Sequence, residues 1–183
     1  MPALAVALAL ASAALFAPGC GGESDQSAAE AEKDDIAILN TALGYAMVTV
    51  DAYTQALPLL RGEDLTLARE LRAQQQEHLN AITKAIRGLG GRADPEPIAV
   101  PLIAPADRDA ALSLAYERVS AAIAEAAAAI ANLNSSWPRA LLTSIAANEA
   151  QQLTLLRQAL GAEGAASVPE AFENGETPLP GRE

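Results

Sequence analysis

Residues 92–106 read RADPEPIAVPLIAPA and carry prolines at positions 95, 97, 101 and 105. Proline at this density prevents a helix and favours extended chain. A helix of about 25 residues is about 38 Å long, whereas this stretch reaches about 46 Å at about 3.1 Å per residue. The segment is therefore long enough to return along the whole length of a helix bundle.

The chain on both sides of this stretch has apolar residues at steps of three and four, which is typical of amphipathic helices. Asp34 and Asp35 are suitable N-caps for the first helix, and Gly90 and Gly91 are typical of the end of the second. In the first helix, the predicted inner face consists of Ile36, Leu39, Leu43, Met47, Val50 and Leu57. We predict four helices, over about 35–60, 64–89, 107–133 and 136–161.

The position of the proline-rich stretch determines the predicted topology. It separates two pairs of helices, and its length leaves helices 2 and 3 parallel to each other. The sequence therefore predicts an all-α fold over residues 34–161, a ferritin-like four-helix bundle with a long crossover between helices 2 and 3.

Composition and charge exclude some classes of partner. Aromatic residues make up only 3% of the chain, so a core of Leu, Ile, Val and Ala is expected. The net charge of −11 leaves no basic stripe to neutralise phosphates, which argues against nucleic acid as a partner. The same charge disfavours electrostatic attraction to anionic lipids.

The N-terminus has the pattern of an export signal. The apolar run from Ala3 to Phe16 is too short to span a bilayer as a helix. The only cysteine, Cys20, follows APG, which resembles the lipobox of bacterial lipoproteins, although Ala17 stands where that motif usually has Leu. We predict a lipoprotein signal peptide over 1–19 and lipidation of Cys20. The alternative is an ordinary secretory signal with a stray cysteine.

The segments before and after the bundle are interpreted in the light of this predicted lipid anchor. Residues 20–33 are small, polar and acidic, and we interpret them as a flexible tether that begins with the lipidated Cys20. Residues 162–183 form a Pro/Gly-rich C-terminal tail. The expected location is the extracytoplasmic face of the cell membrane, through the lipid anchor.

Several polar residues fall on the predicted inner faces. Gln75 and His78 lie in line with the apolar face of helix 2, and Glu149 lies at the centre of the stripe of helix 4, with Gln152 at its edge. Burying a carboxylate costs free energy unless a hydrogen-bond donor or an opposite charge compensates for it. Helix 3 offers Tyr116 on its stripe, with Glu117 rotated away from it.

Four stretches make the chain resemble the bacterial ferritin-like domain family over about residues 34–176. These are DIAILNTAL in helix 1, QQQEHLNAITKAIRGLGG in helix 2, SIAANEAQQLTLLRQALG in helix 4 and VPEAFENG in the tail. In metal-binding ferritin-like proteins, helices 2 and 4 each carry Glu-x-x-His, and helices 1 and 3 each supply one Glu. The i, i+3 spacing brings both side chains to one face.

The resemblance implies a site that has lost most of its ligands. Gln75-x-x-His78 stands on helix 2 and Glu149-x-x-Gln152 on helix 4, while Ala46 occupies the helix 1 position. The helix 3 position corresponds to Tyr116 or Glu117, and the helical period favours Tyr116. These matches leave His78 and Glu149 as the remnant of a di-metal site.

Three interpretations of these residues remain open. The first is a hydrogen-bonded polar layer of Gln75, His78, Glu149 and Gln152 in a structural or binding protein without a cofactor or redox role. The second is a weak mononuclear site for iron or manganese at His78 and Glu149, with Tyr116 or Glu117. The third is a small apolar ligand between the alanine-rich helices. The sequence identifies neither a protein partner nor an oligomeric state.

Overall fold

The computed structural model describes residues 22–95, 97–99 and 104–168 of the chain. Within these residues it contains four α-helices, two short 3-10 turns and no β-strand. The helices are α1 (Gly22–Ala56), α2 (Gly62–Gly88), α3 (Arg108–Asn132) and α4 (Ser136–Ala159), and the turns are Leu57–Leu59 and Gly164–Ser167. The predicted all-α fold with four helices is confirmed.

The end of α2 is fixed by the two glycines that mark it in the sequence. Gly90 has φ 75°, and the backbone N–H of Gly91 donates to the carbonyl of Ile86 at 2.9 Å. This is the Schellman pattern, which satisfies carbonyls at a helix C-terminus. A Cβ on Gly91 would lie 2.8 Å from the side chain of Ile36. A glycine at this position therefore also lets the loop approach α1 closely.

The crossover joins opposite ends of the bundle. Near its beginning, the N–H of Asp94 donates to the side chain of Asn40, five residues after Asp35 in α1, at 2.8 Å. At its end, Asp107 caps α3, and Arg108 bonds Asp64 at the start of α2. The starts of α2 and α3 therefore lie at one end of the bundle, while Ile86 and Leu133, near the ends of these helices, belong to one buried cluster at the other, so the two helices are parallel. The predicted topology is confirmed.

Arg108 ties three helices together at one end of the bundle. Its guanidinium donates to both carboxylate oxygens of Asp64, at 2.6 and 3.1 Å, and to the carbonyl of Ala159 at the end of α4, at 2.7 Å. The hydrogen bond to Asp64, and a further one to Asp109, raise the pKa of Arg108 above its ordinary value. The starts of α2 and α3 and the end of α4 are therefore held by one cation.

The buried apolar side chains form two clusters, one at each end of the bundle. The first includes Tyr53, Leu71, Leu112, Tyr116, Val119 and Leu156. The second includes Leu39, Leu43, Ile82, Ala129, Leu142 and Ile145. Between the two clusters, the interior is polar on α2 and α4. We call Gln75, His78, Glu149 and Gln152, which occupy this level, the polar layer.

The inner face of α1 differs from the prediction at three positions. Met47 is 46% exposed, so its predicted burial is wrong, whereas Ala46 and Tyr53 are buried. The buried face follows Leu39, Leu43, Ala46, Val50 and Tyr53, which alternates steps of four and three. The larger apolar side chain of Met47 suggested a core position, but the helical period assigns that position to the small Ala46.

The start of α1 also differs from the prediction. The sequence predicts a flexible tether over 20–33 and capping by Asp34 and Asp35, but α1 already begins at Gly22 and continues through this segment. Alanine, glutamate and lysine are strong helix formers, and neither glycine nor proline occurs from Glu23 to Asp35. The acidic composition was therefore compatible with a helix. Asp35 is buried and contacts the loop between α3 and α4 instead.

Three predictions fall wholly or mainly outside the described residues. The signal peptide over 1–19 and the lipidation of Cys20 lie there, as does the tail beyond residue 168.

Among the described residues, one helical stretch, Ser27–Leu59, is long and apolar enough to cross a membrane, with a mean hydropathy of 1.3. Half of its most apolar window is buried inside the bundle, which is the expected property of a core helix.

Candidate polar site at the centre of the bundle

The polar layer is formed where α2 and α4 face each other. Gln75 and His78 lie three positions apart on α2, as do Glu149 and Gln152 on α4. Side chains at this spacing project from the same face of a helix. All four are buried, and Glu149 is only 2% exposed. Both helices thus direct a pair of polar side chains into the interior.

Gln75 connects the two helices. Its amide nitrogen donates to Oε1 of Glu149 at 3.2 Å and to Oε1 of Gln152 at 3.1 Å. The amide nitrogen of Gln152 donates in turn to the side chains of Gln74 and Asn148, at 3.1 and 2.9 Å. Every donor of Gln152 is therefore engaged, and the network extends from the interior to the exposed Gln74.

Glu149 and His78 are close to each other without a direct hydrogen bond. Nδ1 of His78 lies 3.7 Å from Oε1 of Glu149, which is within ion-pair distance. Among the described residues, Nδ1 of His78, Oε2 of Glu149 and Oε1 of Gln75 have no hydrogen-bond partner in the protein. The layer is thus well bonded around Gln152 and incompletely satisfied around Glu149.

Tyr53 of α1 completes the layer and was missed in the sequence. Its hydroxyl donates to Oε1 of Gln152 at 3.4 Å. Burial, and then the negative charge of Glu149, raise the pKa of Tyr53 far above its ordinary value. The signal that could have found Tyr53 is its place seven residues after Ala46, on the inner face.

Alanines occupy the wall of the site on α1 and α3. Ala46 of α1 and Ala122 and Ala126 of α3 line a cavity that Glu149 also borders. The volume open to a water-sized sphere is about 10 Å³, which is about enough for one water molecule. Tyr45 of α1 also lines this cavity, so on this side the carboxylate of Glu149 meets apolar side chains and one tyrosine, and no further acid.

The two candidates on α3 lie elsewhere. Tyr116 is buried in the first apolar cluster, and its hydroxyl accepts a hydrogen bond from Arg157 at 3.3 Å. Glu117 is exposed, so it is not an interior ligand. The α3 residues that border the cavity beside Glu149 are Ala122 and Ala126, one to three turns further along the helix. The residues chosen from the sequence for the ligand position of α3, Tyr116 and Glu117, are therefore too close to the start of that helix to reach Glu149.

Comparison with known proteins identifies the architecture. The family model described as "Ferritin-like domain" matches residues 34–162. The chain belongs to the ferritin-like domain family. The resemblance predicted from the sequence is therefore confirmed. Curated proteins give no match to this chain.

Two solved structures share the ferritin-like fold. One is a ferritin-like, diiron-carboxylate protein from Bacillus anthracis, with a TM-score of 0.61 and 20% sequence identity, covering 72% of this chain and 98% of its own. The other is DpsC from Streptomyces coelicolor, with a TM-score of 0.65 and 18% identity, covering 74% of this chain and 88% of its own. At these identities the likeness shows the fold alone.

This ferritin-like chain has few side chains suited to a metal. In the part of the chain that the structure describes, no three His, Cys, Asp or Glu side chains group closely enough to hold an ion. Two divalent ions carry four positive charges, whereas the polar layer contains one carboxylate. The residues present therefore do not fit a dinuclear centre of the carboxylate type.

Proposed function

We propose that this protein is a membrane-anchored, extracytoplasmic ferritin-like bundle whose di-metal site has been replaced by the polar layer. Its role is structural or binding, without redox catalysis. The observation that carries this proposal is the pair of amides Gln75 and Gln152. They stand where the family's metal-binding members have Glu and His, and Gln75 donates hydrogen bonds to both Gln152 and Glu149.

The hydrogen bonds of Gln152 support a structural role for the layer. Its amide nitrogen donates twice, and its amide oxygen accepts from both Gln75 and Tyr53. A metal at this position would have to compete with all four interactions. Buried polar networks with satisfied members stabilise one arrangement of a core, so the layer is suited to fixing the register of α2 against α4.

A second candidate function is supported by the atoms that lack partners. Oε1 of Gln75, Nδ1 of His78 and Oε2 of Glu149 are Lewis bases on neighbouring side chains. Together they could hold one iron or manganese ion, with imidazole and oxygen ligands that suit these metals. A bound ion would supply Lewis-acid or one-electron chemistry. The two candidates therefore differ in whether a single ion occupies the layer.

Thermal unfolding of residues 21–183 with and without Mn²⁺ distinguishes the two candidates. A metal present at about 100 times its Kd stabilises a folded protein by about 2.7 kcal/mol. The structural role predicts an unchanged melting temperature for the wild-type chain. A rise of several degrees in the wild-type chain would overturn it in favour of the second candidate.

A reverted variant provides the positive control. Gln75→Glu combined with Gln152→His and Ala46→Glu restores three ligands of the family pattern, so its melting temperature should rise with Mn²⁺. The matched control is Gln76→Glu, which makes the same change as Gln75→Glu at an exposed position of α2.

The membrane anchor is tested separately from the site. The lipobox-like sequence around Cys20 supports lipidation, and the full chain expressed in a bacterial host should partition with the membrane fraction. Cys20→Ala should release the protein from that fraction. Equal partitioning of the two forms would contradict the lipid anchor and leave the proposal for the polar layer untouched.

A further inference from the structure

The N-terminal part of α1 projects beyond the bundle. The side chains of residues 27–30 and 32–34 are exposed, whereas Asp35 is fully buried. The carbonyl of Ala31 accepts a hydrogen bond from the side chain of Asn134, in the loop between α3 and α4, at 3.4 Å. The side chains of residues 27–30 therefore lie outside the core packing that holds the rest of α1.

The projecting segment has the sequence of a helix that persists without packing. It extends a helix that is already nucleated inside the bundle, so only the favourable elongation steps are needed. Residues 23–34 contain five acids and one lysine. Acids near a helix N-terminus interact favourably with the helix dipole. The same negative charge is repelled by anionic lipid, which disfavours a helix lying flat on such a membrane.

Asp35 fixes the direction of this segment relative to the bundle. Its carboxylate accepts from the backbone N–H of Asn134 at 2.7 Å and from that of Ser135 at 2.8 Å. The loop between α3 and α4 is thus fastened to α1 at the point where the helix leaves the bundle. This loop end of the bundle faces in the direction in which the helix projects.

We propose that residues 22–34 form a rigid helical spacer that holds the loop end of the bundle about 20 Å from the membrane. The inference rests on the proposed lipid anchor, because Cys20 precedes the helix by only two residues. A helix rises 1.5 Å per residue, so the length from Gly22 to Asp35 sets this distance. The membrane-facing surface of the protein is then the loop end, and the opposite end, with Arg108, points away from the lipid.

The protein carries its own probe of this distance. Trp137 is the only tryptophan of the chain, lies at the start of α4 beside the loop, and is 53% exposed. The lipidated full chain is reconstituted into phosphatidylcholine vesicles that contain a dansyl-labelled headgroup lipid. Energy transfer from Trp137 to the dansyl group is then measured, because its efficiency falls steeply with distance.

Deletion of residues 24–30 is the informative variant. It removes about 10 Å, two helical turns, and nearly preserves the orientation of the helix. We expect a several-fold increase in transfer relative to wild type. Replacement of the same seven residues by a Gly/Ser sequence should also increase transfer, because a flexible segment lets the bundle approach the lipid. Trp137→Phe gives the background signal.

The outcomes separate the spacer from the anchor. Flotation of the vesicles measures attachment directly, and a protein that does not float with them would overturn the anchor together with the spacer. A protein that floats with equal transfer in the wild type, the deletion and the Gly/Ser variant would overturn the spacer alone. Unchanged thermal melts of the two variants show that the bundle itself is intact.

Discussion

At the scale of single residues, Glu149 and Gln152 occupy the same layer but differ in how well their polar atoms are satisfied. Gln152 has a partner for its oxygen and for both of its N–H groups. Glu149 receives one hydrogen bond, from Gln75, and approaches His78 at 3.7 Å. Leaving a buried polar group without a partner costs about 1–3 kcal/mol. Glu149 is therefore the residue at which substitution tests the layer.

Glu149→Ala and Glu149→Gln should destabilise the fold to different extents. Alanine leaves the amide of Gln75 without one of its acceptors and enlarges the adjoining cavity, so we expect a loss of about 1–3 kcal/mol. Glutamine retains an oxygen at the same position and should cost less. Urea unfolding at pH 7 measures both losses, with Glu77→Ala on the exposed face of α2 as the control. Equal losses for the two Glu149 variants would contradict a hydrogen-bonding role.

Tyr53→Phe should make the protein less sensitive to alkali. Because burial raises the pKa of Tyr53 above its ordinary value of 10, the folded state keeps a proton that the unfolded state loses above about pH 10. Stability must therefore fall as the pH rises beyond that value. Urea unfolding at pH 9 and pH 11 should show a smaller loss in Tyr53→Phe than in wild type. An identical loss in both proteins would show that Tyr53 ionises freely in the fold.

At the scale of the helices, the sequence predicted some ends well and others poorly, for physical reasons. The start of α3 at Asp107, which caps it, and the end of α2 at Gly90 depend on local backbone geometry that these residue types favour. The start of α1 was missed because Asp35 looks like a cap in isolation. Its partners, Asn134 and Ser135, lie about a hundred residues away in the chain, so only the folded structure reveals its role.

Asp35→Asn should weaken the junction between α1 and the α3–α4 loop in a pH-dependent way. Burial opposes ionisation of Asp35, but hydrogen bonds from Ser135 and Asn134 outweigh it and lower the pKa of Asp35 below its ordinary value of 3.8. Its stabilisation is therefore complete above about pH 4 and is lost as the pH falls through the folded-state pKa. We expect Asp35→Asn to cost about 1 kcal/mol at pH 7.

The same comparison at low pH gives the control. Near pH 2 the wild-type carboxyl is largely protonated in the unfolded state and loses much of its advantage, so the difference between wild type and Asp35→Asn should shrink. Asp34→Asn, at the exposed neighbouring position, should behave as wild type throughout. A difference that stays constant from pH 7 to pH 2 would show that the charge of Asp35 contributes nothing.

At the scale of the whole molecule, the length of the crossover was the decisive sequence signal. An extended segment long enough to span the bundle leaves helices 2 and 3 parallel, and the structure has them so. The helical period also predicted that Gln75, His78, Glu149 and Gln152 face inwards, and all four are buried. Their hydrogen-bond pattern, the contribution of Tyr53 and the depth of Tyr116 depend on how the helices slide against each other, which a periodicity does not encode.

If the polar layer has replaced a dinuclear metal centre, as we propose, the number of iron ions that the protein retains provides the sharpest test. Residues 21–183 are loaded anaerobically with ferrous iron, desalted, and measured for iron per chain by elemental analysis. We expect no retained iron, because one buried carboxylate does not balance the charge of two ions. One iron per chain that is lost in Glu149→Ala and kept in Glu77→Ala would establish the mononuclear candidate instead. Two irons per chain would show that the dinuclear centre persists and that Gln75 and Gln152 are metal ligands.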